Sequence, residues 1–472
     1  MKRLFILIIP VLLVSCNRPP ENGPGKDDGT GIMAEGWITS PQKGVLFTKH
    51  DGELEFMTTS NTDPAIVVDT TERFQEIDGF GNCLTGGSAI LLNKMRLAER
   101  TVLLQELFSD DGNGIGISYL RITIGASDLS DRVFTYCDLP SGETDPQMER
   151  FSIEPEKADL IPVLKEILAI NPSLKILGSP WTAPLWMKTN NDSVGGSLKP
   201  EWFDAYAKYF VKYIQAMKEE GITIDAITVQ NEPLHGGNNP SMVMTAADQA
   251  LFIRQNLGPA FAAAGITTKI IIYDHNADRT DYPLTVLNDA GARQYIDGSA
   301  FHLYGGSIDA LTSVHDAFPS KNLYFTEQWV GGPGNLAEDL KWHVENLIIG
   351  ATRNWCRNVI EWNLASDPSY DPHTEGGCDR CLGTVTLSGN NVTRNPAYYI
   401  LAHAAKHVRP GSVRVSTNTP GNLPNVAFLT PEGRKVLIVV NTTPDKRNFN
   451  VKYRGNALPL SLDGGAVGTW TW

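Results

Sequence analysis

From about residue 76 onward the chain repeats one pattern: a short apolar run, a turn, a stretch of helical period, then another apolar run. Eight such runs are centred on "QEIDGFGNCL", "ISYLRITIG", "LKILGSPW", "IDAITVQNE", "KIIIYDH", "DGSAFHLYG", "NLYFTEQW" and "RNVIEWNLA". Strands that alternate with helices pair in parallel, because each helix carries the chain back across the sheet so that the next strand starts in the same direction. Eight units in residues 76–407 predict a (β/α)8 TIM barrel with enlarged loops. Between the third and fourth runs, "PEWFDAYAKYFVKYIQAMKEEG" sets Trp202, Tyr206, Tyr209, Tyr213 and Met217 at helical spacing, with Pro200 at its start and Gly221 at its end. That stripe is expected to pack the helix on the sheet, not to bind a ligand.

Residues 45–75 and 408–472 follow a different period. "PAIVVDTT", "GSVRVSTNT", "NVAFLTPEGRKVLIVVNTT" and "FNVKYRG" are short alternating stretches separated by turn residues, as in antiparallel strands. Because the two sets flank the barrel, they are expected to form one antiparallel β-sandwich domain built from both ends of the chain. The barrel and the sandwich account for all but the first residues.

Those first residues, "MKRLFILIIPVLLVSC", join a basic start to an apolar run too short to cross a bilayer as an ordinary helix, the form of an export signal. The terminal "LVSC" resembles the lipobox of bacterial lipoproteins, which implies a signal peptide over 1–16, lipidation at Cys16 and an exported protein held to the outer membrane by that lipid alone; a plain secretion signal with an incidental cysteine is the alternative. Residues 17–44, opening with "NRPPENGPGKDDGTG", are expected to be a flexible tether. Whether the anchored protein faces the cell surface or the periplasm is left open, as is its oligomeric state. Without Cys16 an odd number of cysteines remains, so the chain is no disulfide framework. Cys378 and Cys381 are close enough in sequence to form a small disulfide, whereas a zinc site needs further ligands at matching spacing that the sequence lacks. The formal charge of −13 would repel a phosphate backbone, which argues against a nucleic-acid partner.

In barrels of this architecture the loops after the strands converge on one open face, so the residues closing each run carry the chemistry. The fourth run ends on Asn231 and Glu232 and the seventh on Glu327. Carboxylates facing each other across the mouth are what glycoside hydrolysis needs, one to protonate the leaving oxygen and one to attack the anomeric carbon or activate water. The other tips show Arg121 and Asp128, Trp181 and Trp186, Asp274 and His275, His302 and Tyr304, and Trp362 with Asn363. Aromatic faces beside hydrogen-bonding groups suit a sugar, whose C–H faces stack while its hydroxyls need directional partners. A guanidinium on a barrel strand, Arg121, needs an anionic partner, and the mouth offers two.

Taken together, "FQEIDGFGNCLTGGSA", "LRITIGASDLS", "GSPWTAPLWMKTN", "VQNEP", "FHLYG", "FTEQW" and "YYILAHAAKHVRPGSVRV" resemble, in order and rough spacing, glycoside hydrolase family 30, which includes glucosylceramidases and endo-β-1,6-glucanases. The resemblance runs from about residue 65 to the C-terminus. It implies a retaining hydrolase of β-linked glucosides or β-glucan, with Glu232 matching the acid/base and Glu327 the nucleophile. By the same matching, Asn231 would bind the sugar 2-hydroxyl and Arg121 would orient the nucleophile. Asp128, Trp181, His302, Tyr304 and Trp362 would line the subsite of the reacting sugar. No metal or organic cofactor is called for.

The departures fall where substrate choice is made. "GFGNCLTGG" puts Asn82, Cys83 and Gly86 where many relatives carry other residues, Leu303 stands where a tryptophan is expected beside the histidine, and "EGGCDRC" supplies Asp379 and Arg380 near the mouth. Asp274, His275, Asp379 and Arg380 are therefore further candidates for contact with substrate. A β-1,6-glucan is favoured over a glucosylceramide-like substrate. The alternatives are xylan or a β-fucoside for the same clan of barrel hydrolases, or an inactive surface protein that captures glycans. The nearby charge of Glu327 is expected to raise the pKa of Glu232 and keep it protonated.

Overall fold

The structure, a computed structural model, describes residues 31–472; Cys16, the apolar run before it and the first part of the tether lie outside the described residues. Eight parallel strands close a barrel in chain order: β1 (Gly79–Leu84), β2 (Tyr119–Thr123), β3 (Lys175–Ser179), β4 (Ala226–Thr228), β5 (Lys269–Asn276), β6 (Ile296–His302), β7 (Asn322–Glu327) and β8 (Cys356–Asn363). Each of the eight apolar runs holds one of them, with β5, β6 and β8 reaching one residue beyond their runs. The strands are buried on both faces, inside by the barrel's own side chains and outside by helices, which is why they read as continuous apolar runs. The helix Phe203–Glu219 covers the sheet with Tyr206, Tyr209, Tyr213 and Met217, all fully buried.

Side chains two apart on a strand point to the same side, so the barrel interior fills in layers. Tyr119, Leu177, Ala226, Ile271, Ala300, Tyr324 and Ile360 form one buried apolar layer. Two residues further along their strands stand Arg121, Ser179, Thr228, His302, Thr326 and Trp362. On β5 the pairing with β6 slips between Tyr273↔Ala300 and His275↔Phe301, and this bulge turns Asp274 into the same layer.

The flanking strands form a sheet in the order 45–49, 33–40, 467–471, 435–440, 425–429, 413–417, 65–76, 447–453 and 456–462. Ala65–Glu76 pairs antiparallel with Val413–Thr417 and, at its start, parallel with Arg447–Tyr453, so the long strand serves both halves of the side domain. Its core gathers Phe56, Ile66, Val68, Leu437, Val439, Phe449, Val451 and Trp470.

Residues 33–40, expected within the tether, are instead a strand of this domain, paired from Glu35↔Thr471 to Thr39↔Val467. The reason lies in "AEGWITS": Trp37 is buried against His407, with ring centroids 4.0 Å apart, and Gly36 leaves the room that the Trp470 ring occupies, since a Cβ there would lie 2.9 Å from it. The helix Pro396–Ala405 ties this domain to the barrel through His403, held between Thr39 Oγ1 at 2.8 Å and Thr469 Oγ1 at 2.9 Å.

Candidate active site

Arg121 is the centre of the polar layer. Fully buried on β2, it donates through Nη1 to Glu327 Oε2 at 2.5 Å, and through Nη2 to Asn231 Oδ1 at 2.6 Å, Asp274 Oδ2 at 2.8 Å and Ser179 Oγ at 3.2 Å. Its carbon lies 4.8 Å from the centroid of Trp181 and 5.7 Å from that of Trp362, and the two indoles stack on each other at 5.3 Å. A guanidinium so enclosed keeps one orientation and presents it to Glu327.

Asp274 is the counter-anchor. Besides Arg121 its carboxylate accepts from Ser179 Oγ at 2.9 Å, Thr228 Oγ1 at 2.7 Å and Thr326 Oγ1 at 2.6 Å, and it faces His302 Nε2 at 3.1 Å. Against the cost of burial, Arg121 and His302 hold it well below the usual carboxylate range. It has no exposure, so it stands behind the mouth and does not contact substrate, contrary to the expectation that it might.

The two glutamates reach the mouth by different routes. Glu327 is the last residue of β7. Glu232 is not at a strand tip: β4 ends at Thr228, and the chain turns through a left-handed residue, Glu232 at φ 44°, whose N–H donates to the Asp274 carbonyl at 3.0 Å. Tyr273 and Asp274 also have positive φ, at 72° and 67°. A backbone held in this region by its surroundings, at non-glycine residues, is the mark of a site where geometry is set against local preference.

An oxygen of Glu232, one of Glu327 and a ring nitrogen of His302 all lie within 4.8 Å of one another. Carboxylate oxygens this close on one side of a cavity suit direct attack on a sugar by one of the two groups while the other handles the proton. Tyr304 donates its hydroxyl to Glu327 Oε1 at 3.0 Å, opposite Arg121. His302 Nδ1 meets Glu232 Oε1 at 3.2 Å.

The electrostatics correct one expectation. Burial alone would raise Glu232, but the hydrogen bond and charge of His302 hold its carboxyl below the ordinary value. At Glu327 burial prevails over His302 and Arg121 and raises the carboxyl. His302, although burial disfavours its charge, is pushed up to about 9 by Glu327, Asp274 and Glu232. These directions favour the proton on the His302 imidazole over Glu232.

Around this centre a cavity of 390 Å³ is lined by Asp128, Trp181, Asn231, Glu232, His275, Tyr304, Glu327 and Trp362, among others. Burial and the charges of the two glutamates push Asp128 up to about 7, and burial pushes His275 down to about 4. His302 stands in direct contact with Glu232, beneath this wall.

Asp379 and Arg380 are not brought in: both side chains are exposed on the outer side of their loop, Arg380 donating to the Gly332 carbonyl. Cys378 and Cys381, bonded to each other, line the cavity instead. Trp186 packs away from the site on Trp202 and donates to the Cys137 carbonyl at 3.1 Å. Sequence reasoning missed His235, Asn238, Asn276 and Trp329, which also line the cavity. His235 and Asn238 follow Glu232 in "NEPLHGGNNP", and that polar run directly after the carboxylate was the signal available.

Residues 77–408 match the glycosyl hydrolase family 30 TIM-barrel domain, and residues 411–470 the family 30 beta sandwich domain. The chain is 36% identical to the endo-1,6-beta-D-glucanase neg1 of Aspergillus fumigatus, over 82% of this chain and 84% of that one. It is 30% identical to the lysosomal acid glucosylceramidase of Mus musculus, over 79% of this chain and 76% of that one. Among solved structures, the endo-beta1,6-glucanase BT3312 superposes with a TM-score of 0.85 at 36% identity, covering 93% of this chain and 99% of that one.

Proposed function

The chain belongs to glycosyl hydrolase family 30, a retaining glycosidase on a barrel with an attached β domain, and from that premise we propose that it cleaves β-1,6-linked glucan with Glu327 as nucleophile and Glu232 as acid and base. One observation carries this reading: two carboxylates close together in one cavity, the first gripped by a buried arginine and a tyrosine, the second joined to a buried histidine.

Glu327 attacks the anomeric carbon. Arg121 and Tyr304 each bond one of its oxygens, which aligns the carboxylate and favours its anionic form against burial. Glu232 delivers a proton to the leaving oxygen. That proton comes from His302: Asp274 stays ionised and fixes Nε2–H, so Nδ1 is the nitrogen free to pass its proton to Glu232 Oε1 as the aglycone oxygen arrives. Forming the glycosyl ester removes the charge of Glu327. Glu232, again ionised beside His302, then takes a proton from the water that cleaves the ester. The stacked Trp181 and Trp362 and the Asp128 carboxylate hold the ring of the reacting glucose.

The β-1,6 linkage rests on the relatives named endo-1,6-glucanases, which match at higher identity than the glucosylceramidases. Chromatography of the products from β-1,3-, β-1,4- and β-1,6-glucan, xylan and a glucosyl lipid tests it. Gluco-oligosaccharides released from the β-1,6-glucan alone are the expected result; release from xylan or the lipid in their place would transfer the assignment. We also propose that Cys16 carries the lipid of an exported, membrane-tethered enzyme, motivated by "LVSC" after the apolar run. Cys16→Ser should move the protein from the membrane to the soluble fraction, and an unchanged distribution would refute the anchor.

A further inference from the structure

The loop 374–382 touches three others across the rim of the cavity. Thr374 donates its N–H to the Asp128 carbonyl at 2.9 Å and its hydroxyl to the Asn239 carbonyl, and Asn239 Nδ2 donates to the Glu375 carbonyl at 3.0 Å. On the far side Gly331 and Val330 pair with Cys381 and Leu382, and the Gly332 N–H donates to the Arg380 carbonyl at 2.8 Å. The paired glycines matter at one place: a Cβ on Gly377 would lie 2.4 Å from the Asp128 carbonyl oxygen, so only glycine allows the loop this close to the strand-two tip.

Within this short loop the disulfide closes a ring across "CDRC". Cys381, buried, packs with Trp181, Trp362, Cys83 and Leu129, and Cys378 and Trp329 pack against the same cluster. The sulfur pair is therefore a wall of the cavity and a brace for two groups that hold the sugar.

We propose that the Cys378–Cys381 disulfide is a positioning element of the sugar subsite, which keeps the sulfurs against the Trp181 and Trp362 pair, so that its reduction weakens glucoside binding without unfolding the barrel. This rests on the glucanase reading above. Three polar links at residues 374 and 375 and the pairing of residues 380–382 with 330–332 anchor the loop independently of the sulfurs, so opening the bond frees Cys378 and Asp379 locally. A dithiol supplies the chemistry: one molecule of dithiothreitol is oxidised to its cyclic disulfide while the protein disulfide gains two electrons and two protons and becomes two thiols. Cys83, Cys137 and Cys356 are buried and already reduced, so they do not respond.

The test compares the full chain oxidised and reduced, with thiol titration to verify the state. KM for β-1,6-glucan, and the Kd of gentiobiose for the Glu327→Gln form, should rise about 10-fold on reduction, as the Trp181 and Trp362 pair loses the wall packed against it. Turnover number should stay within about twofold, because Glu232, Glu327 and Arg121 are held by other elements. Unchanged KM and Kd in the reduced protein would overturn the inference. So would a collapse of the melting temperature together with all activity, which would make the bond a staple of the fold. Cys378→Ser with Cys381→Ser should reproduce the reduced values and lose the response to dithiol. Arg380→Ala, which keeps the disulfide but removes the guanidinium bonds to the Gly332 carbonyl, should raise KM by a smaller factor; no rise would count against the loop as a brace. Acrylamide quenching of tryptophan emission is independent of substrate and should increase on reduction, as the indoles lose cover. If the oxidised protein cleaves no β-1,6-glucan, the functional reading fails while the quenching still decides this one: equal quenching in both states would overturn it.

Discussion

Two neighbouring layers of the barrel interior are two residues apart along the same strands. The lower one, with Tyr119, Leu177, Ala226, Ile271, Ala300, Tyr324 and Ile360, is a packed plug; the upper, around Arg121, Asp274 and His302, is a hydrogen-bonded network open to the cavity on one side. Backbone and burial are nearly identical in both. What differs is how each layer tolerates being buried: one by close packing, the other by pairing every charge with an opposite one. The plug gives the network a floor that cannot shift, and the network converts that rigidity into aligned carboxylates.

The largest effect that would break this division of labour is at Glu327. Glu327→Gln should lower kcat by at least ~10⁴-fold, since covalent attack is lost, while the melting temperature moves little; retained turnover on every substrate would remove the nucleophile from the upper layer. Next, Glu232→Ala should cost ~10²–10⁴-fold on β-1,6-glucan, with a much smaller loss for the first step on aryl glucosides whose leaving groups need no proton. Equal losses on both substrates would count against the acid role. Third, and in the opposite sense, Leu177→Ala in the plug should cost ~2–5 kcal/mol of stability in denaturant titrations while kcat/KM per folded molecule stays within about twofold. A specific loss of activity there would show that the layers are not separable.

A fourth prediction concerns pH. The folded pKa of His302 is about 9, above its ordinary 6.5, so the stability it contributes is fully present below the ordinary value and is lost as pH rises through about 9. Turnover should fall over the same interval, and His302→Gln should remove that alkaline limb in a pH–rate profile; a limb that persists would belong to another group. The smallest effect sharpens the edge of the site: Asp379→Ala, exposed on the outer rim, should alter stability by less than ~0.5 kcal/mol and leave KM for β-1,6-glucan unchanged.

The barrel was legible because its strands are buried on both faces and separated by amphipathic helices, a pattern in which the apolar runs stand out one by one. Glu327 was legible for the same reason, as the residue that ends a clear run. Glu232 was found, but its support was misread: "ITVQNE" looks like a strand carried to its tip, whereas pairing stops at Thr228 and a left-handed turn, invisible to period, does the holding. The strand over 33–40 was hidden because the Pro- and Gly-rich stretch before it set the composition of the window, and its partner, Val467–Thr471, lies at the other end of the sequence. Asp274 and His275 are adjacent in sequence yet one is a buried anchor and the other lines the cavity, a difference that comes from the β5 bulge alone. Loops gave the weakest signal, so Asp379 and Arg380 were placed inside while the cysteines beside them form the wall.

The pairing of Trp37 with Thr469 has a consequence for how the molecule is made. An early segment waits for a partner synthesised only after the whole barrel, so the side domain cannot close before the barrel's own chain has been made. Until then its open edges are free to join those of another incompletely folded chain, and a product lacking residues 467–471 would be a ready seed for aggregates.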